Sequence, residues 1–249
     1  MIDPVVTSGL VLREVKYKEA DRILTILTPR YGVISAIAKG SLRLKNKLFS
    51  ACGLFCYSEF TLYPGKNMYT VDEAQIKTVF HELSHSVEAM SLAMYMGEIA
   101  IMLMPTQEEA DTVLRLLLNS LYMAGKGSIP LKQVKAVYEM RVCSICGYLP
   151  QLLMCKGCGL YDGKDFFLDP LDGKLLCRDC AAREGHKPNL DPGALYAMRH
   201  ICLADDKKIF AFRLAEHSSK LLYTTAERYV LTHLESVPKS YSFLKSVLE

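Results

Sequence analysis

Six of the nine cysteines in this chain fall in three pairs of identical spacing: Cys143–Cys146, Cys155–Cys158 and Cys177–Cys180. The second and third pairs read C-x2-C-x18-C-x2-C, a loop length suited to one zinc ion held by four thiolates. Each C-x2-C unit can make a turn whose two sulfurs converge on one ion. Gly159 follows Cys158, as such a turn requires, and Asp-Gly steps at 162–163 and 172–173 punctuate a hairpin-like stretch between the pairs. Four soft thiolates around a tetrahedral ion leave no open position, so Cys155, Cys158, Cys177 and Cys180 are expected to hold one structural Zn2+. The competing redox role lacks a thioredoxin-like βαβ pattern around either pair.

Cys143 and Cys146 have a different setting. They close a helical pattern in which Val134, Tyr138, Val142 and Ile145 form an apolar stripe, with Gly147 as the stop. Only eight residues separate Cys146 from Cys155, so this pair reads as small core residues, with a second metal, a ligand swap or a redox pair as the alternatives. Cys52, Cys56 and Cys202 are isolated thiols of core or surface.

Around this frame the sequence changes period near residue 79. Up to that point it reads as strands over 9–18, 22–28, 32–40, 54–63 and 67–74, joined by turn signals such as Pro29–Gly32 and Pro64–Lys66. Five short strands predict a small barrel, OB-fold or SH3-like. Beyond residue 79 the pattern is helical. Val87, Met90, Met94, Gly97, Ile101 and Met104 recur at steps of three and four and are expected to fill a core. Thr106 and Glu109 suggest a capping box ahead of a helix stopped by Gly125. Further helices are predicted over 130–146, 192–203, 207–222 and 224–235. The expected domains are 1–78, a small barrel, and 79–249, an α-helical domain that carries the zinc-type cysteine pairs at about 150–184.

Residues 81–85, His-Glu-Leu-Ser-His, satisfy the H-E-x-x-H pattern of metalloproteases. A third ligand on a following helix is needed, and the nearest acid, Glu98, lacks the setting for it. These residues read as a solvated helix start. No nucleophile elbow, phosphate-cradling glycine loop or matched carboxylate pair occurs, and no enzymatic activity is expected. No apolar run reaches the roughly 18 residues of a membrane span, and Met1–Gly9 lacks the features of an export signal. Nine cysteines without such a signal suggest a reducing, cytoplasmic compartment.

The net charge is +3, but its distribution is uneven. Residues 1–78 carry eleven Lys/Arg against seven Asp/Glu, and the rest nineteen against twenty. Arg13, Arg22, Lys39, Arg43, Lys45, Lys47 and Lys66 lie on predicted barrel strands and loops, where cations neutralise phosphates without reading sequence. Tyr17, Tyr31, Tyr57 and Tyr63 could offer stacking faces. A solvated basic face and ordinary barrel aromatics would produce the same pattern.

The stretch GLVLREVKYKEADRILTILTPRYGVISAIAKGSLR resembles the N-terminal signature of the bacterial RecO DNA-repair and recombination-mediator family, through Arg13, Glu19, Asp21, Arg22, Thr28, Gly32, Lys39 and Gly40. GYLPQLLMCKGCG followed by CRDC is similar to that family's zinc-bearing insertion, and AERYVLTHLESVPKSYSFL to its C-terminal helix and tail. The likeness runs along nearly the whole chain, and departs at Cys143 and Cys146, where the family usually has aliphatic residues. It implies an α+β chain: an N-terminal OB-fold barrel followed by an α-helical domain with a four-cysteine zinc insertion. It also implies binding to single- and double-stranded DNA, annealing of complementary strands, and loading of RecA onto DNA covered by single-strand-binding protein. RecR is the implied partner, with RecF a further one. A zinc-containing interaction scaffold that binds no DNA is the alternative.

Overall fold

The computed structural model describes residues 3–104 and 110–248. Thr106 and Glu109, the expected capping box, lie outside the described residues. The first strands are β1 (Val5–Tyr17), β2 (Asp21–Thr28) and β3 (Gly32–Ala38), followed by a basic loop and the short helix α1 (Leu48–Ala51). Strands β4 (Cys56–Tyr63) and β5 (Tyr69–Val79) complete the set. Their order around the sheet is β1-β2-β3-β5-β4, and the sheet closes on itself. With its one helix between β3 and β4, this is an OB-like barrel, which decides between the two barrels that strand count left open. Closure removes exposed edges. Alternation along each strand turns Val11, Leu24, Ile26, Ile34, Ala36, Phe60, Leu62 and Val71 into one core.

Several residues of the N-terminal signature have local structural work in the barrel. Gly32 adopts φ +57°, a left-handed conformation that glycine takes without steric cost. The Thr28 hydroxyl donates to the Gly32 carbonyl at 3.0 Å and accepts from Tyr31 N–H at 3.2 Å, closing the β2–β3 turn. Asp21 accepts from Gly40 N–H at 2.7 Å, tying the start of β2 to the end of β3.

A 3-10 turn (His81–His85) and helices α2 (Val87–Leu103) and α3 (Asp111–Lys126) follow. Contacts group the described residues up to Lys126 with Pro238–Val247, the segment bearing most of α8 (Tyr241–Leu248). Glu98 on α2 accepts from the backbone N–H groups of Lys239 and Ser240 at 2.8 and 2.9 Å and from the Ser240 hydroxyl at 2.7 Å. It thereby caps the entry to α8. The stripe expected to fill the α2 core does so only in part: Gly97 is buried, and Met90, Ile101 and Met104 are half-buried. Val87 is 61% and Met94 48% exposed, whereas Ala89, Leu92, Ala93, Met96, Ile99 and Ala100 are buried. The helix is apolar on most of its circumference, so spacing could not select the buried face. Helix α3 also runs past the expected stop at Gly125. It ends at Gly127, whose φ of +65° suits a helix terminus.

The second unit is Gly127–Val237. It holds α4 (Leu131–Ile145), the two-stranded hairpin β6 (Phe166–Leu168) and β7 (Leu175–Cys177), α5 (Arg178–Arg183), α6 (Pro192–Leu203) and α7 (Glu216–His233). One helix, α7, stands where two were expected over 207–222 and 224–235. The stretch preceding it is non-helical because tertiary contacts hold it. Ile209 is buried, the Gln133 side chain donates to Phe212 O at 3.2 Å, and Arg141 bonds Asp206 at 2.6 Å. Thr224 and Thr225, at the expected break, sit inside α7 with hydroxyls donating to Lys220 O and Asn189 O.

Candidate nucleic-acid interface and metal centre

Cys155 and Cys158 lie on the loop before the hairpin, Cys177 ends β7 and Cys180 lies on α5. The hairpin brings the two pairs together. All four sulfurs lie within 4.8 Å of one another, and Cys158 Sγ is 3.6 Å from Cys177 Sγ. Ligands about 2.3 Å from a tetrahedral ion stand about 3.8 Å apart, so the quartet fits a metal ion. Burial raises the Cys155 thiol, but N–H groups of Cys177, Cys158 and Gly157 aimed at its sulfur outweigh this and hold it down to about 6. Burial and proton sharing with the other three thiols push Cys180 up to about 12, against the Arg183 guanidinium, whose Nη2 lies 2.9 Å from its sulfur. Gly157 has to be glycine for space: a Cβ there would sit 2.9 Å from Cys180 Sγ.

Arg199, buried on α6, fastens the first knuckle. It donates to the carbonyls of Leu152, Leu153 and Tyr161 at 2.8, 3.0 and 2.9 Å, and lies under the rings of Tyr161 and Tyr196. Spacing gave no sign of Arg183 or Arg199, whose roles depend on the folded path of the chain.

Cys143 and Cys146 take no part in the quartet. Cys143 is fully buried on α4, where burial pushes its thiol far up, and Cys146 ends the helix. Gly147 at φ +92° and the Tyr148 N–H bond to Cys143 O at 2.8 Å close that helix in a Schellman turn. His81 and His85 lie on a 3-10 turn rather than an α-helix, and join no metal-ligand cluster among the described residues. Glu98 is engaged in capping α8.

On the barrel, Lys39, Arg43, Lys45 and Lys47 are exposed along one loop that folds back on itself. Arg43 N–H donates to Gly40 O, and the Asn46 side chain donates to Gly40 O at 3.0 Å and accepts from Leu48 N–H at 2.8 Å. Leu42 N–H donates to Ala20 O at 2.9 Å, joining the loop to the β1–β2 turn. That link brings in two exposed cations missed from sequence, Lys16 and Lys18. Arg13 is exposed in β1 opposite Thr25, and Lys66 is exposed in the β4–β5 turn. None of these cations forms an ion pair with another described residue. Of the four tyrosines, Tyr17 and Tyr63 are about 40% exposed (40% and 41%), and Tyr31 and Tyr57 are half-buried.

Arg22 corrects the expectation drawn from its charge. It is 5% exposed and bonded to Glu14, Ser41, Leu48 and Phe49, so its guanidinium is withdrawn from any phosphate.

The family described as Recombination protein O N terminal matches residues 1–80, and Recombination protein O C terminal matches residues 84–242. The chain is 33% identical to the DNA repair protein RecO of Acetivibrio thermocellus over 97% of its own length and 96% of the relative's. It is 27% identical to that of Alkaliphilus metalliredigens, over 93% and 94%. It is 30% identical to that of Heliobacterium modesticaldum, over 96% and 88%. Two adjoining family matches that span barrel and helices, and relatives aligned almost end to end, make this chain a member of the RecO family.

Proposed function

We propose that the chain is a DNA-repair and recombination mediator whose barrel binds single- and double-stranded DNA by the phosphate backbone, with one structural zinc at Cys155, Cys158, Cys177 and Cys180. The observation that carries the DNA reading is the loop Lys39–Lys47: four exposed cations, unpaired with any described acid, on a loop braced by its own hydrogen bonds. Arg13, Lys66, Lys16 and Lys18 extend it. Such a surface attracts phosphates of any sequence. Tyr17 and Tyr63 add faces on which unpaired bases can stack. The names of the relatives support a repair role. In that role the protein anneals complementary strands and, with RecR, helps load RecA onto DNA covered by single-strand-binding protein, RecF being a further partner, in the cytoplasm. None of these steps requires a catalytic group.

Zinc is the ion that suits four thiolates in a closed tetrahedral set. The quartet braces the 150–184 insertion of the helical domain, and the barrel is the 1–78 domain.

The test is a salt titration of oligonucleotide affinity for wild type and the Arg43→Ala/Lys45→Ala/Lys47→Ala variant. Each single-strand phosphate contact contributes about 0.7 to the log–log slope, so the variant's slope falls by about 2, for unrelated sequences alike. An unchanged slope moves the DNA site off this loop. Failure of wild type to bind or anneal strands at low salt leaves the scaffold reading in its place.

A further inference from the structure

Arg22 is the most heavily bonded buried cation of the barrel. Its Nε donates to the Ser41 hydroxyl at 3.1 Å, and its Nη2 lies 2.8, 3.4 and 2.6 Å from the carbonyls of Ser41, Leu48 and Phe49. Nη1 pairs with Glu14 at 2.6 Å, and the guanidinium lies 5.7 Å from the Phe49 ring centroid. Ser41 stands at the start of the basic loop, and Leu48 and Phe49 stand just past its end. One planar side chain therefore grips both ends of the segment that carries Arg43, Lys45 and Lys47. A lysine in its place offers one point charge and cannot span the same set of acceptors.

We infer that Arg22 is a positioning residue for nucleic-acid binding: it touches no phosphate, and it fixes the basic loop in the shape that binds. This rests on the assignment of that loop to DNA. A loop released at both ends still carries its three cations. It then has to be ordered on binding, which costs affinity without removing a contact. The Ser41 hydroxyl, passed on to Ala38 O at 2.8 Å, and the Asp21 bond to Gly40 N–H connect the clamp to the ends of β3 and β2. The adjacent acid and base at 21 and 22 thus serve one purpose from two sides.

The experiment is a double-mutant cycle on single-stranded oligonucleotide affinity: wild type, Arg22→Gln, the triple-Ala loop variant, and all four changes together. Arg22→Gln is expected to weaken binding about tenfold with an unchanged salt slope. In the triple-Ala background it is expected to have no further effect, because nothing is left to position. Arg22→Lys falls with Arg22→Gln, since charge alone does not hold the loop. Amide hydrogen exchange at Arg43 and Asn46 speeds up in both Arg22 variants. Should Arg22→Gln fail to fold by circular dichroism, Glu14→Gln loosens the same guanidinium and is read in the same cycle. A slope lower by about 0.7, with the loss persisting in the triple-Ala background, would make Arg22 a phosphate ligand and sink the clamp. Wild-type affinity in the Arg22 variants would also sink it. A triple-Ala variant with the wild-type slope overturns the loop assignment itself, and the clamp with it.

Discussion

The guanidinium of Arg183 lies 2.9 Å from the sulfur of Cys180, one of the buried corners of the thiol quartet. Four thiolates around a divalent ion carry two surplus negative charges, and an N–H···S bond from a cation offsets part of that excess. Outer partners of this type commonly change metal affinity tenfold or more. Arg183→Gln is expected to lose zinc to a chromogenic chelator about tenfold faster than wild type. The sulfur-to-metal charge-transfer bands of the cobalt-substituted protein should shift as well. Identical release rates and spectra would reduce Arg183 to a surface residue.

The two cysteines at the end of α4 yield the opposite expectation. The Cys143→Ser/Cys146→Ser protein keeps one zinc per chain by elemental analysis. Cys155→Ser releases it and destabilises the insertion, because metal binding is part of its folding free energy. Loss of half the metal from the double variant would reassign the ligands.

Arg199 holds three knuckle carbonyls from within the helical unit. Arg199→Ala leaves those buried acceptors without their charged donor and is expected to cost about 3 kcal/mol in urea unfolding. Arg199→Lys recovers little, since one ammonium cannot reach all three. A loss below about 0.5 kcal/mol would contradict the clamp.

The Glu98 cap gives stability a pH dependence of known sign. Burial opposes its ionisation, but bonds from the Ser240 hydroxyl and the Ser240 and Lys239 N–H groups outweigh that and hold its carboxyl below the usual value. A depressed acid adds stability above its unfolded pKa, about 4.3, and loses it as pH falls through the folded value. Wild type should therefore exceed Glu98→Gln in stability at pH 6 and approach it below pH about 4. Unfolding curves that stay parallel from pH 7 to 3 would rule this out.

Legibility from sequence depended on how local the cause was. The quartet was legible because a C-x2-C turn and two Asp-Gly steps set sulfur positions over short distances. The barrel was legible because alternation and turn residues act within one hairpin. Arg22 was not. Its charge matches that of Arg43, and only the return of the chain at Ser41 and Phe49 separates a buried tie from an exposed cation. The buried face of α2 was hidden by apolar residues on most of its sides. The single helix α7 was hidden because the stretch before it is held by tertiary contacts at Gln133 and Arg141 that spacing cannot show. Arg183 and Arg199 act on groups that become their neighbours only after folding.

The Glu98 cap also sets a schedule for a growing polypeptide. Its partner Ser240 lies 142 residues downstream. At the roughly 5–20 residues per second of synthesis, about 7–28 s separate the appearance of the carboxylate from that of the amides it receives. The whole Gly127–Val237 unit, with the thiol quartet, leaves the ribosome in between. The unit that holds the barrel is thus begun before Gly127–Val237 and closed only after it, and α2 waits through that interval for the amides of Lys239 and Ser240.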